Sequence, residues 1–265
     1  MAYYVPQQLL GHLKRQIIKR RSRRAKNFWA RAALRADTLG LGELALIDGY
    51  ARLSQRHLHH FRRTALDRLG GALIGEQMID TPPQCDWAWR PDAWHVPLFP
   101  LGQSGIASGT WINEQLNLHH DCPLSEATLR QRANTESGSQ APFGVLIDVL
   151  GFEGSFLSLT LNLPDGAVQS TTRSHIIRLA AHMTLEREMT AHARLNLKHG
   201  PNVEAITRPL DLSTGPVVCE FDLGHSKINA ERLEKIWLDV IFDDPSMSHV
   251  VIADLTLMRR PRADV

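Results

Sequence analysis

Cysteine is scarce in this sequence. Cys85, Cys122 and Cys219 are odd in number and never adopt a CxxC spacing. That argues against a disulfide framework or a zinc ribbon. Reduced thiols in a cytosolic setting are the simplest reading. Long apolar runs are missing as well. The best candidate, Leu39 to Ile47, is interrupted by Gly40, Gly42 and Glu43. Neither a secretory leader nor a spanning helix of about 18 apolar residues is therefore expected. The expected location is the cytoplasm or the periphery of the inner membrane face. No glycine-rich phosphate loop is present: Gly102, Gly105 and Gly109 are loosely spaced and precede a strand rather than a helix. No repeat with a period of about 20–50 residues marks a solenoid or propeller.

Acid is absent from one stretch, and this divides the chain. From Lys14 to Arg35 there are ten Lys or Arg and no Asp or Glu. Residues 1–75 carry fifteen cations against four acids, a net of +11, while residues 76–265 carry a net of −9. The expected organisation is a basic helical arm over 1–75, a Trp/Pro-rich belt over 76–104 and a β domain over 105–265.

In the arm, Leu9, Leu10, Leu13, Ile17 and Ile18 recur at helical spacing. Lys14, Arg15, Lys19, Arg20, Arg21, Arg23, Arg24 and Lys26 are the candidate contacts to an anionic partner. A helix of this kind can lie on an anionic membrane surface or neutralise nucleic-acid phosphates. It can equally be a solvated arm, or a helix packed on an acidic protein. A second helix is expected over about 41–69, where Ile47, Ala51, Ser54, Leu58, Phe61 and Ala65 step by four and three. Gly70-Gly71 is its expected stop. This stripe could join copies into a homo-oligomer or pack on the β domain. His57 and His60 lie one helical turn apart and could share a metal ion. A plain cationic face is the more ordinary reading, and no metal or cofactor is expected.

Trp87, Trp89 and Trp94 crowd into a segment surrounded by Pro82, Pro83, Pro91, Pro97 and Pro100, which excludes a long helix. In extended chain Trp87 and Trp89 point the same way. The three indoles are a candidate aromatic platform for sugars or bases. The alternative is an irregular belt that buries them at the end of a sandwich.

From about residue 105 the hydrophobic period becomes two. Leu157, Leu159, Leu161 and Leu163 alternate with Ser158, Thr160 and Asn162. Ala191, Ala193, Leu195 and Leu197 alternate with His192, Arg194, Asn196 and Lys198. Similar runs occur at Ile177–Met183, Val217–Leu223 and Ile236–Phe242, with a last strand carrying Val251, Ala253, Leu255 and Leu257 inward. Candidates at Ile106–Ile112, Gln115–His120 and Phe143–Leu150 bring the total to roughly eight to ten, the count of a two-sheet sandwich or jelly-roll. The expected fold is mainly β: a jelly-roll-like sandwich resembling carbohydrate-binding modules, with an N-terminal α-helical extension. Should the strands be neighbours, Arg194, Asn196, Glu220, Asp222, Trp237 and Asp239 would share one surface suited to a glycan. The alternative is a solvated face with ion pairs such as Arg194 with Asp239.

Several words of sequence occur together in one order. They are Asp86-Trp87-Ala88-Trp89-Arg90-Pro91, His120-Asp121-Cys122-Pro123, Ser155-Phe156-Leu157-Ser158-Leu159, Ala193-Arg194-Leu195-Asn196, His199-Gly200-Pro201-Asn202, Glu220-Phe221-Asp222-Leu223 and Pro261-Arg262-Ala263. With them the chain resembles an alphaproteobacterial family, labelled domain of unknown function 6478, from about residue 84 onward. The resemblance implies a single β domain and no catalytic residues or cofactor.

No reaction is legible. His119-His120-Asp121-Cys122 is the best metal-like cluster, but adjacent histidines on a strand point to opposite faces. Cys122 beside His120 is the only local nucleophile–base pairing. A glycosidase pair could be drawn from Glu220, Asp222 and Asp239. The leading expectation is a non-catalytic module for a glycan or protein partner, positioned by the basic arm. A carboxylate-dependent glycan hydrolase on the same face is the alternative, and a structural oligomer-forming subunit is a third.

Overall fold

The computed structural model describes residues 7–74, 79–135, 140–212 and 216–262, with the side chains of 7–14, 59, 60 and 62–74 outside the description. The chain divides into two compact units, Met1–Ala65 and Leu66–Val265. The first holds helix α1 (Gln7–Arg35) and most of α2 (Leu41–Ile74). A 3-10 turn at Ala36–Thr38 ends on Leu39 in extended backbone, φ −75 and ψ 144, which breaks the helical run. The expected stop at Gly70-Gly71 does not occur, because α2 continues to Ile74. A glycine in a helix interior costs about 1 kcal/mol relative to alanine, too little by itself to stop the helix.

The second unit is a two-sheet antiparallel β-sandwich. Its strands are β1 (Trp87–Trp89), β2 (Gly102–Ser104), β3 (Thr110–Trp111), β4 (Leu116–His120), β5 (Ala127–Ala133), β6 (Phe143–Val149) and β7 (Phe156–Asn162). After these come β8 (His175–Leu185), β9 (Ala191–His199), β10 (Asn202–Pro209), β11 (Val217–Asp222), β12 (Leu233–Asp243) and β13 (Ser248–Pro261). Short helices α3 (Asp92–His95) and α4 (Asp165–Gln169) interrupt the series. One sheet runs β11-β8-β13-β6-β5-β2 with β1 also on β13; the other runs β10-β9-β12-β7-β4-β3.

The leucine and valine halves of the alternating strands form the core. Leu159 on β7 lies opposite Leu118 and Val240, and Leu195 on β9 opposite Leu238. All five are completely buried. Gly200, at φ +58, and Pro201 form the two-residue link from His199 to Asn202, a position where a positive φ favours glycine.

The sequence reading missed β5 and β10. β10 is an exposed edge strand whose apolar residues are split, with Val203 and Ala205 outward and Ile206 inward, so no apolar stripe marks a core face; β5 uses Gln131 where a core strand normally places an apolar residue. The last strand also differs from expectation. A register shift between Ile252 and Asp254 changes its phase, as a bulge does. Val250 and Ile252 are therefore buried before it, and Leu255 and Leu257 after it. Val251 and Ala253, expected inward, lie on the other side.

Polar pins hold the Trp/Pro segment to the first sheet. The Arg90 guanidinium donates to both oxygens of Asp254 at 2.8 Å, with both side chains buried. Gln131 accepts from the Leu98 amide and donates to the carbonyls of Ala93 and Val96. Arg259 grips both oxygens of Asp86 and also donates to Thr171 and the Ala167 carbonyl.

Candidate functional site

The outward face of the six-stranded sheet collects polar residues in register. Residues directly opposed in antiparallel strands share a side of the sheet. Asp239 on β12 lies opposite Arg194 on β9 and Thr160 on β7. Thr160 lies opposite Asn117 on β4, and Asn117 opposite Trp111 on β3. Arg194 in turn faces Thr207 on β10. One row therefore crosses all six strands. Beside it, Trp237 sits between Asn196 and Asn162. On the other side, Ile241 lies between His192 and Ser158, with His119 opposite Ser158.

Asp239 organises the middle of this face. Its Oδ1 accepts from Thr160 Oγ1 at 2.7 Å. Its Oδ2 accepts from Arg194 Nη2 and Asn196 Nδ2, each at 2.9 Å, and from Arg194 Nε at 3.1 Å. A buried carboxylate supplied with this many donors is held in one rotamer. Asn117, Ser158, Thr160, Asn196 and Asp239 are only 4–7% exposed. Trp237 is half-buried, and Trp111 is 53% exposed.

Around this satisfied centre lie atoms that are not satisfied. Asn117 Oδ1, Ser158 Oγ, and both Oδ1 and Nδ2 of Asn162 are buried and lack a hydrogen-bond partner. Leaving such a group unpaired costs about 1–3 kcal/mol, and native proteins contain few of them. Here four lie on one face, on the two strands β7 and β4 that separate the strands of Trp237 and Trp111.

Of the residues expected to share a surface, Arg194, Asn196, Trp237 and Asp239 do so. The Arg194–Asp239 ion pair is formed. Glu220 and Asp222 are elsewhere, because β11 belongs to the other sheet. Glu220 pairs with Arg260. Asp222 pairs with Arg262 and accepts from the Gly224 amide. Alternation had assigned the faces of β9, β11 and β12 correctly, but it carries no information on which sheet a strand joins.

Trp94 is not part of a platform. Its indole is completely buried in the core and its Nε1 donates to the Ile252 carbonyl at 2.8 Å. Trp87 and Trp89 do point the same way, with rings 6.3 Å apart and 26° from parallel, half-buried against the core.

Sequence reasoning passed over Trp111, Asn117, Ser158, Thr160 and Asn162 as site residues. Three of them were visible as the polar half of the Leu157–Leu163 alternation. Only the neighbour order joins them to Trp237.

His120 turns inward, 2.8 Å from the Ile106 carbonyl, while His119 stays on the outward face beside the Asn117 amide at 2.8 Å. The carboxylate of Asp121 accepts from the hydroxyl and amide of Ser155. These bonds hold its pKa down to about 2. Among the described residues no three His, Cys, Asp or Glu converge to hold a metal ion. In the arm, Arg15, Lys19, Arg20, Arg21, Arg23, Arg24 and Lys26 are all exposed, whereas the Lys14 and His60 side chains lie outside the described residues. Among the described residues no helix is long and apolar enough to cross a membrane.

A family model matches the sequence over residues 10–265. The chain belongs to the family of unknown function DUF6478. No curated protein matches this DUF6478 chain. Several solved structures are partly similar, three of which follow. One is the enzymatically active domain of bacteriophage CBA120 tailspike protein 4, with TM-score 0.39 and 8% identity over 58% of this chain; the match spans only 21% of the tailspike chain. Another is TmCBM61 in complex with beta-1,4-galactotriose, with TM-score 0.34 and 16% identity over 62% of this chain and 95% of that one. The third is the CBM22-1 xylan-binding domain from Paenibacillus barcinonensis Xyn10C, with TM-score 0.35 and 7% identity over 62% and 95%. At scores below 0.5 these overlaps carry no argument about this chain.

Proposed function

We propose that the outward face of the six-stranded sheet binds an oligosaccharide and performs no reaction on it. The observation that carries this reading is the set of four unpartnered polar atoms on Asn117, Ser158 and Asn162, framed by Trp111 and Trp237. Sugar hydroxyls both donate and accept, so they can satisfy an amide oxygen, an amide nitrogen and a hydroxyl together. An indole supplies the flat apolar surface on which a sugar ring stacks. Trp237 and Trp111 stand three strand spacings apart, roughly 14 Å at ~4.8 Å each. That span suits a chain of sugars better than a single ring.

Preorganisation supports the same reading. The Asp239 network fixes Asn196, Arg194 and Thr160 before any ligand arrives, which lowers the ordering cost of binding. It also weakens the hydrolase alternative. Glycosidases need two carboxyl groups about 5–9.5 Å apart across the scissile bond. Of the three candidates only Asp239 is on this face, and its oxygens are engaged by fixed donors. The arm's part is to hold the module near an anionic surface through its exposed cations.

The test is binding of the full chain to a glycan array, followed by calorimetry on Trp237→Ala and Asn162→Ala. Affinity should fall at least tenfold in each variant while the melting temperature changes little. If Trp237→Ala collapses the fold, the indole belongs to the core and this site is lost. If both variants fold and bind every glycan as the parent does, a protein partner becomes the better reading.

A further inference from the structure

The charge at the Trp237 end of this face is not balanced. Arg194 is paired with Asp239 at 2.9 Å and Lys198 with Glu234 at 2.7 Å. Lys235 is different. It lies directly opposite Lys198, two residues before Trp237 on the same side of β12. Among the described residues no carboxylate comes within ion-pairing distance of its ammonium. Its neighbour is the Trp237 ring, with Nζ 5.5 Å from the centroid.

Two features of this placement point to a ligand. Like charges opposed across antiparallel strands destabilise the pair, and Glu234 neutralises only Lys198. The ammonium also sits over the ring on which a sugar would stack. A neutral sugar would have to displace it and give up the cation–π attraction. A sugar with an anionic substituent could stack on the indole and receive the ammonium as a hydrogen-bonding partner. A charge-assisted bond of that kind is stronger than a neutral one.

Resting on the reading of this face as a glycan site, we infer that its ligand is an acidic glycan. Its carboxylate or sulfate lies beside Trp237 and is held by Lys235. At the Trp237 end of the face the three cations Arg194, Lys198 and Lys235 meet the two carboxylates Asp239 and Glu234, while Asp243 lies toward the far end of β12 and pairs with His192, so one positive charge beside Trp237 is left for the ligand. The Asn117, Ser158 and Asn162 atoms then contact the uncharged hydroxyls of neighbouring units. Lys235 gives specificity for charge, while Trp237 and the amides give affinity for sugar.

The experiment uses the full chain on an array of uronate-containing, sulfated and neutral glycans. Calorimetry of wild type, Lys235→Met and Trp237→Ala follows on the best ligand and on its carboxyl-reduced or desulfated counterpart. The arm's cations will also attract polyanions, so only binding lost in Trp237→Ala is assigned to the sheet. Trp237-dependent binding should favour acidic glycans, and the uronate and sulfate arms of the array distinguish the two sources of charge. Lys235→Met should weaken the acidic ligand about ten- to a hundredfold, the worth of one hydrogen bond to a charged group. It should not weaken the neutral counterpart, whose binding stays the same or tightens because no cation–π contact has to be given up. If the best Trp237-dependent ligands are neutral and indifferent to Lys235→Met, the acidic ligand is wrong and the glycan site stands. If no glycan shows Trp237-dependent binding, both readings fall.

Discussion

Removing Arg90 should unfold the sandwich far more readily than its position in a short loop suggests. Its guanidinium makes two parallel bonds of 2.8 Å to Asp254, and the two side chains are only 5% and 9% exposed. Arg90→Met preserves much of the apolar stem but leaves a buried carboxylate without its cation. Breaking a buried pair from one side costs about 3–5 kcal/mol. For a unit of some 200 residues, each kcal/mol moves the melting temperature by about 2–4 °C, so a fall of roughly 6–20 °C is expected. The double variant Arg90→Met/Asp254→Leu should recover most of that loss, because an apolar pair of similar volume is often neutral or better. Urea denaturation of wild type, both single variants and the double variant gives the coupling energy directly. The reasoning is refuted if Arg90→Met stays within about 1 kcal/mol of wild type, or if the double variant is no more stable than Arg90→Met.

The two tryptophan environments should separate cleanly. Trp94→Ala empties a completely buried site and should cost about 3–5 kcal/mol, whereas Trp237→Ala should lower ligand affinity and leave the melt nearly unchanged; equal destabilisation would contradict the assignment. Asp121 should mark the acid limb of stability. Its pKa is depressed from 3.8 to about 2 by Ser155, so its contribution is complete above its unfolded pKa and disappears as pH falls through 2. The melting difference between wild type and Asp121→Asn should therefore shrink from pH 5 to pH 2, and a pH-independent difference would falsify this linkage. For the arm, association of the full chain with anionic vesicles or duplex DNA should weaken steeply as salt rises. Identical binding at low and high salt would remove its electrostatic role.

Alternation by itself settled which half of β7, β9 and β12 faces the core. Leu157 to Leu163, Ala191 to Leu197 and Ile236 to Phe242 could only bury their apolar side, because successive side chains point to opposite faces. The same rule put Arg194, Asn196, Trp237 and Asp239 outward. The acid-free run from Lys14 to Arg35 likewise needed no fold to be recognised as a cationic helix. What a strand cannot encode locally is its neighbour. Strand order depends on long-range pairing, and it sent Glu220 and Asp222 to the opposite sheet while placing Asn162 opposite Trp237 and bringing Asn117 and Trp111 onto the same face. The bulge in the last strand also escaped a period-two reading, since one extra residue reverses the phase of everything before it. Trp94 looked like its two neighbours in sequence. Only the core around it, and the Ile252 carbonyl that accepts its N–H, made it structural. The site is therefore a property of register: local chemistry chose the side chains, and pairing across six strands made them a surface.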